Sequence, residues 1–326
     1  MAVAVHCPIT PTTKDIKKAA HLAVFCYDRL MQTVRAKIFR TGLIVRSKRG
    51  TINDSNLAQT RKSLERLEKY FPVRKKVKIR AVKKEQFRAE WITVPSSRAD
   101  KVILYIHGGG FVFYPKFYRD YISRLGEQSD TKVLSLDYSL APENPYPKAL
   151  HEAVAAYKWL LGTFASKDIV IAGDSAGGAL VLSLLHRIRE EKLAYPACAI
   201  ALSPATDATL KSTSIEANKA KDIFIKKASI SYFIDAYFAQ TPRDHPIASP
   251  LHGSFEGFPP LLIEVDKDEI MYDDSARVVE KAKKAKVDVE FYETQGLWHV
   301  HHLYARYIPE ARKSIEHLGE YIRRHM

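Results

Sequence analysis

No run of apolar residues in these 326 positions approaches the ~18 needed to cross a bilayer as a helix. The first residues, Met-Ala-Val-Ala-Val-His-Cys-Pro, lack the basic start and long apolar stretch of a secretory signal. Cysteine is scarce: Cys7, Cys26 and Cys198 are odd in number and far apart, which argues against a disulfide framework and for a reducing compartment. No internal repeat or low-complexity stretch is visible. The expectation is a cytoplasmic, globular protein. Its 46% hydrophobic and 27% charged residues are ordinary for a chain with a real core.

Acidic residues are scarce in one place only. Residues 1–100 hold 23 Lys and Arg against 8 Asp and Glu, a net +15, while the remainder carries −1 of the total +14. The basic residues are scattered among apolar positions, as on a solvated helical face. A weak contact with an anionic membrane surface is a further expectation; nucleic acid is not an expected partner.

Past the N-terminal region, periodicity alternates between strand and helix. Residues 14–39 repeat apolar positions at steps of three and four and read as an amphipathic helix. A loop from Gly42 to Asn56 and a second helix ending at Pro72 follow. Eight strand-like runs come next: 74–84, 87–94, 102–106, 133–137, 168–172, 197–202, 261–265 and 287–292. Helical runs lie at 116–128, 148–164, after 178, at 274–286 and at 303–324. Such alternation predicts an α/β fold with a mostly parallel, eight-stranded sheet flanked by helices. The stretch 205–257 is too long for a plain loop and carries a helix-like piece at 223–238.

One junction organises the rest. Ile169 to Ala172 suits a buried strand, and an apolar helical run begins at Ala179. Between them lies Gly173-Asp174-Ser175-Ala176-Gly177. G-x-S-x-G between a strand and a helix sets its serine on a sharp turn as a nucleophile. Acyl transfer by Ser175 needs oxyanion donors, a base and a group that orients the base. His107-Gly108-Gly109-Gly110-Phe111 follows the 102–106 strand, where glycines let backbone N–H groups approach a ligand. Gly109, Gly110 and Ala176 are the candidate donors, with Gly108 as the turn residue. His299 follows the last strand and is the candidate base. For the acid, Asp268 is favoured because it lies past the strand end, while Asp266, Glu269, Asp273 and Asp274 compete. Asp273 and Asp274 read better as helix caps or first-turn charges. Phe111 and Trp298, each beside a motif, are candidate pocket residues. His299, His301 and His302 are close in sequence, but no second cluster at ligand spacing completes a metal site. No metal is expected, and His301 and His302 read as helix-start or surface residues.

These motifs, with Asp137-Tyr138-Ser139-Leu140-Ala141-Pro142-Glu143, Leu202 to Asp207, Ser249-Pro250-Leu251 and Asp268-Glu269-Ile270, resemble the hormone-sensitive-lipase-like carboxylesterases (bacterial group IV) of the α/β-hydrolase superfamily. The resemblance runs from about Phe87 to the C-terminus. It implies the α/β-hydrolase fold, a Ser175–Asp268–His299 triad and no cofactor. It also implies one catalytic domain, 1–326, with a helical cap from about 1–72 and 205–257. Two departures stand out. Ser139 replaces the family's usual arginine, which bears on an ion pair of Glu143 or Asp137. Asp268-Glu269-Ile270 replaces the common Asp-Pro-Leu. The expected function is hydrolysis of short- to medium-chain acyl esters of a small-molecule substrate by a monomer or homodimer; the last strand is an edge suited to pairing. The alternative is a catalytically weak ligand-binding or receptor-like protein. Plant gibberellin receptors resemble this family and have lost the histidine that His299 retains.

Overall fold

Nearly continuous apolar runs, with no alternation, mark strands buried on both faces. The computed structural model, which describes residues 33–47 and 51–326, puts four such strands at its centre. They are β3 (Arg98–Ile106, whose last six residues are buried), β5 (Ile169–Asp174), β6 (Cys198–Leu202) and β7 (Leu261–Asp266). With β1 (Lys78–Lys83), β2 (Arg88–Thr93), β4 (Thr131–Leu136) and β8 (Val289–Thr294) they form one sheet in the order β1-β2-β4-β3-β5-β6-β7-β8. Pairs β1–β2 and β2–β4 are antiparallel and the rest parallel. The expected eight strands and α/β class are therefore present.

Successive β3 residues feed two different cores. Val102, Leu104 and Ile106 pack with α4 (Lys148–Leu161), α5 (Ala176–Glu190) and α8 (Tyr272–Lys284). Ile103 and Tyr105 face α3 (Tyr118–Gln128) and α9 (Pro309–His325). This is the period-two alternation of a strand, hidden in the sequence because both faces are apolar.

Strand order reverses beside β3, with β4 on one side and β5 on the other. In open parallel sheets the crevice outside the carboxyl ends at such a switch point is where ligands bind. The loops after β3 and β5 carry the two glycine-rich motifs.

Among the described residues, four α-helices lie in the segments expected to form a cap: α1 (Val34–Ser47), α2 (Asp54–Glu65), α6 (Ser214–Ala217) and α7 (Lys227–Phe238). The segments touch, the Tyr232 hydroxyl donating to Asp54 at 2.8 Å. The expected helix over 14–39 lies outside the described residues up to 32, as do Cys7 and Cys26. Its described part runs through Gly42 to Ser47 where a loop was expected. At the C-terminus the expected single helix is two pieces, a 3-10 turn at His301–Tyr304 and then α9. Pro309, which has no N–H to give, starts α9. Among the described residues no helix is long and apolar enough to cross a membrane.

Candidate active site

Ser175 has φ 53° and ψ −121°, a left-handed backbone that a serine holds only under strain imposed by its surroundings. Its N–H donates to Leu202 at 2.7 Å, and its carbonyl accepts from Ala179 at 3.0 Å and Ala205 at 3.2 Å. The turn brings α5 against the end of β3. A Cβ on Gly177 would lie 2.0 Å from the Ile106 carbonyl, and one on Gly173 2.6 Å from it. Ser175 is half-buried between buried neighbours and caps α5, whose first N–H groups have no partner within the helix.

The residue before it locks the loop of residues 107–110. Asp174 is buried and accepts from Tyr105 at 2.6 Å, Tyr118 at 3.0 Å and the Gly108 N–H at 3.1 Å. Burial pushes its carboxyl above the usual range, against those hydrogen bonds. A Cβ on Gly108 would lie 2.2 Å from Asp174 Oδ2. Gly109 and Gly110 have φ 105° and 60°, which L side chains rarely adopt. The Gly109 carbonyl accepts from Val112 at 3.1 Å and Phe113 at 3.0 Å. His107 stacks on Tyr138 at 4.2 Å, donates from Nδ1 to the Gly108 carbonyl at 2.6 Å, and is pulled down to about 4 by burial. It is a neutral brace under the loop.

The carboxylate beside His299 is not the expected one. His299 is buried, and its Nδ1 lies 2.6 Å from Glu269 Oε2. Asp268 is not the carboxylate on His299: it lies 3.7 Å from Arg40. The reason is the turn that leaves β7. Asp266 caps it, its Oδ1 accepting from the Asp268 N–H at 3.0 Å and its carbonyl from the Glu269 N–H at 3.1 Å. The Glu269 side chain is then gripped through Oε1 by Ser203 Oγ at 2.8 Å and the Asp266 N–H at 2.9 Å. Oε2 is thereby left for the imidazole. Burial disfavours the imidazolium of His299, but the charge and hydrogen bond of Glu269, with Asp222 and Asp174, outweigh it and raise its pKa. Nε2 of His299 is buried with no hydrogen-bond partner among the described residues. Of the competing acids, Asp273 and Asp274 lie in the first turn of α8. Asp274 also holds the 205–257 segment, accepting from Thr206 at 2.8 Å and Asp207 at 2.9 Å.

His301 and His302 begin the 3-10 turn but are buried, not at the surface. Buried Glu264 of β7 joins them, its Oε1 2.9 Å from His302 Nε2 and 3.5 Å from His301 Nε2. Their ligand atoms lie within 4.8 Å of one another, so these three could hold a metal ion. The sequence concealed the group because its third member is over thirty positions away. Burial works against the Glu264 carboxylate, but its contacts with His302 and His301 outweigh that and lower its pKa.

Phe111 lies flat on Tyr237 of α7 at 3.8 Å. It lines a cavity of about 20 Å³ with Ala205, Ile230, Ile234, Phe238 and Ile270, among others. Trp298 is buried edge-on to Tyr304 at 5.3 Å, away from that cavity. Ser139, in the family's arginine position, bonds Glu152 through both N–H and Oγ at 2.6 Å. The guanidinium on Glu143 comes instead from Arg61 of α2 at 2.9 Å, while Asp137 faces Arg88 at 3.4 Å. Arg61 also donates to the carbonyls of Val112 at 2.9 Å and Ala141 at 2.8 Å.

Comparison with known proteins gives one consistent result. The family model described as alpha/beta hydrolase fold matches residues 103–303. An acetyl-hydrolase of Streptomyces hygroscopicus is 37% identical over 72% of this chain and 79% of its own length. An esterase of Acinetobacter venetianus is 33% identical over 87% of this chain and 95% of its own. A crystal structure of an esterase from the bacterial hormone-sensitive lipase family superposes with TM-score 0.86 at 31% identity, covering 90% of this chain and 99% of that one.

Proposed function

The chain belongs to the hormone-sensitive-lipase-like esterases of the α/β-hydrolase family and is a carboxylic ester hydrolase; from that premise we propose a Ser175–His299–Glu269 mechanism on short-chain acyl esters. Ser175 Oγ attacks the ester carbonyl as His299 Nε2 takes its proton. The backbone N–H groups of Gly109, Gly110 and Ala176 receive the oxyanion. His299 then delivers the proton to the leaving alkoxide. Water, deprotonated by His299, attacks the acyl-enzyme and releases the acid with Ser175 restored. Glu269 holds the imidazole tautomer with the proton on Nδ1 and stabilises the imidazolium without taking that proton.

The observation that carries the mechanism is the 2.6 Å contact of a buried, doubly anchored carboxylate with His299 Nδ1. A retained, carboxylate-backed histidine also favours the enzyme over the receptor-like alternative. The acyl group is placed beside Phe111, next to Gly110, where Ile234 and Phe238 leave only a small cavity, which favours the short end of the acyl range. A relative named as an acetyl-hydrolase and a similar structure, EstE5, soaked with p-nitrophenyl butyrate agree with that range. Rates on p-nitrophenyl esters from acetate to octanoate, run beside Ser175→Ala, test the reading. Hydrolysis by wild type that falls with chain length and vanishes in the variant is expected; equal rates in the variant would refute it.

A weak contact with an anionic membrane surface is a further part of the proposal. Val34 and Ile38, one turn apart on α1, are exposed beside exposed Arg35 and Lys37, which is an apolar-and-basic surface. Co-sedimentation with phosphatidylserine vesicles but not with neutral ones is the expected result; binding indifferent to lipid charge would remove it.

A further inference from the structure

One guanidinium touches both of the turns that build the base and its acid. Arg40, on α1, donates from Nη1 to the carbonyls of Gly296 at 2.8 Å and Leu297 at 3.0 Å. These residues open the loop that carries His299, and Gly296 turns it with φ 77°. Nη2 of the same side chain lies 3.7 Å from Asp268 Oδ2, the residue before Glu269. Nη2 also donates to the Lys221 carbonyl at 3.2 Å. The next residue, Asp222, accepts from the N–H of Ile270 at 3.0 Å, on the other side of Glu269.

The Leu297 peptide region is therefore held from two directions. Its N–H donates to Asp266 at 2.9 Å from the sheet side, and its carbonyl accepts from Arg40. The start of α1 is itself fixed, since the Thr33 N–H donates to Glu310 at the beginning of α9 at 2.6 Å. Only a planar fork with several donors can span two carbonyls on one side and a carbonyl and a carboxylate on the other; an ammonium cannot.

We propose that Arg40 is a positioning residue for the reaction, clamping the His299 loop to the acid turn from the N-terminal helix, with Asp268 as its counter-charge. Asp268, the acid that the sequence favours for the triad, thus serves the site through Arg40. Misplacing a reacting group by about 1 Å costs about 100-fold in rate, and a clamp acts on the chemical step more than on ground-state binding. This inference rests on the esterase reading given above.

The test uses the full chain with p-nitrophenyl acetate, well below the melting temperature of each variant. Arg40→Ala is expected to lower kcat by about 10- to 100-fold with KM within about 3-fold. Arg40→Lys, which keeps the charge and one donor, should recover part of that loss. Asp268→Asn should cost little in wild type, since it leaves the three carbonyl contacts of Arg40 in place, and nothing further in the Arg40→Ala background, where the Arg40–Asp268 contact is already lost. If Arg40→Ala does not accumulate as folded protein, Arg40→Lys carries the test: kcat reduced with KM kept supports the clamp, and wild-type kcat overturns it. A variant that raises KM alone, or changes only the melting temperature, overturns it too. Absence of turnover by wild type would sink the esterase reading and the clamp with it; wild-type turnover with unchanged kcat in Arg40→Ala sinks the clamp alone.

Discussion

His299 Nδ1 meets Glu269 Oε2 at 2.6 Å, while the adjacent Asp268 faces Arg40 across 3.7 Å. Two neighbouring carboxylates therefore have separable effects. Glu269→Gln should lower kcat by about 10³- to 10⁴-fold, since an amide in the orienting position favours the wrong imidazole tautomer. Asp268→Asn should stay within about 5-fold of wild type, because it leaves that hydrogen bond intact. Steady-state kinetics of the two variants side by side decide the matter; the reverse ranking would return the role to Asp268.

The pH profile follows from the sign of the His299 shift. In the proposed mechanism His299 works only when neutral, and its pKa is raised above the ordinary 6.5 although burial opposes this, chiefly by the charge and hydrogen bond of Glu269. Activity, read as kcat/KM, should thus rise with pH through a midpoint above 6.5 and then level off. In Glu269→Gln burial is left with less opposition, so the residual activity should have its acid limb at lower pH. An acid limb in Glu269→Gln at or above that of wild type would contradict the assignment.

Gly108 has a steric reason to be glycine. An added Cβ would lie 2.2 Å from Asp174 Oδ2, and Asp174 cannot retreat because Tyr105 and Tyr118 hold it. Gly108→Ala should destabilise the protein by about 1–3 kcal/mol and also depress kcat, since the displaced loop carries Gly109 and Gly110. Urea melts and kinetics on the same preparation read both effects. A variant with wild-type stability and activity would show that the loop is not locked this way.

Acyl length should respond to α7. Ile234 and Phe238 close the small cavity beside Phe111, so Ile234→Ala should raise the octanoate-to-acetate rate ratio by about 10-fold. That lies within the ~1–3 kcal/mol that one methylene is worth in an apolar pocket. An unchanged ratio would move the acyl group elsewhere.

What the sequence made legible, and what it hid, follows from the range of the interactions. The β5–Ser175–α5 junction and the glycine run after β3 were readable because each is set by local sterics: a strand period, a tight turn, missing Cβ atoms. The choice between Asp268 and Glu269 was not. Adjacent residues in a turn point in different directions, and which one reaches His299 is fixed by Asp266, Ser203 and Arg40, distant partners that no local pattern reveals. The presence of the longer acid beside the favoured one was the only signal available. Burial of His301 and His302 was hidden likewise, since their partner Glu264 comes from a strand that reads as apolar. α1 continues through Gly42 to Ser47, at the modest cost of a glycine inside a helix.

The central claim, that Ser175 is an activated nucleophile, is tested most directly by diisopropyl fluorophosphate labelling followed by peptide mapping. One phosphoryl group on the Ser175 peptide, formed together with loss of esterase activity and absent in Ser175→Ala, is the predicted result. Loss of activity with the label on another residue, or a fully active enzyme carrying the label on Ser175, would contradict it.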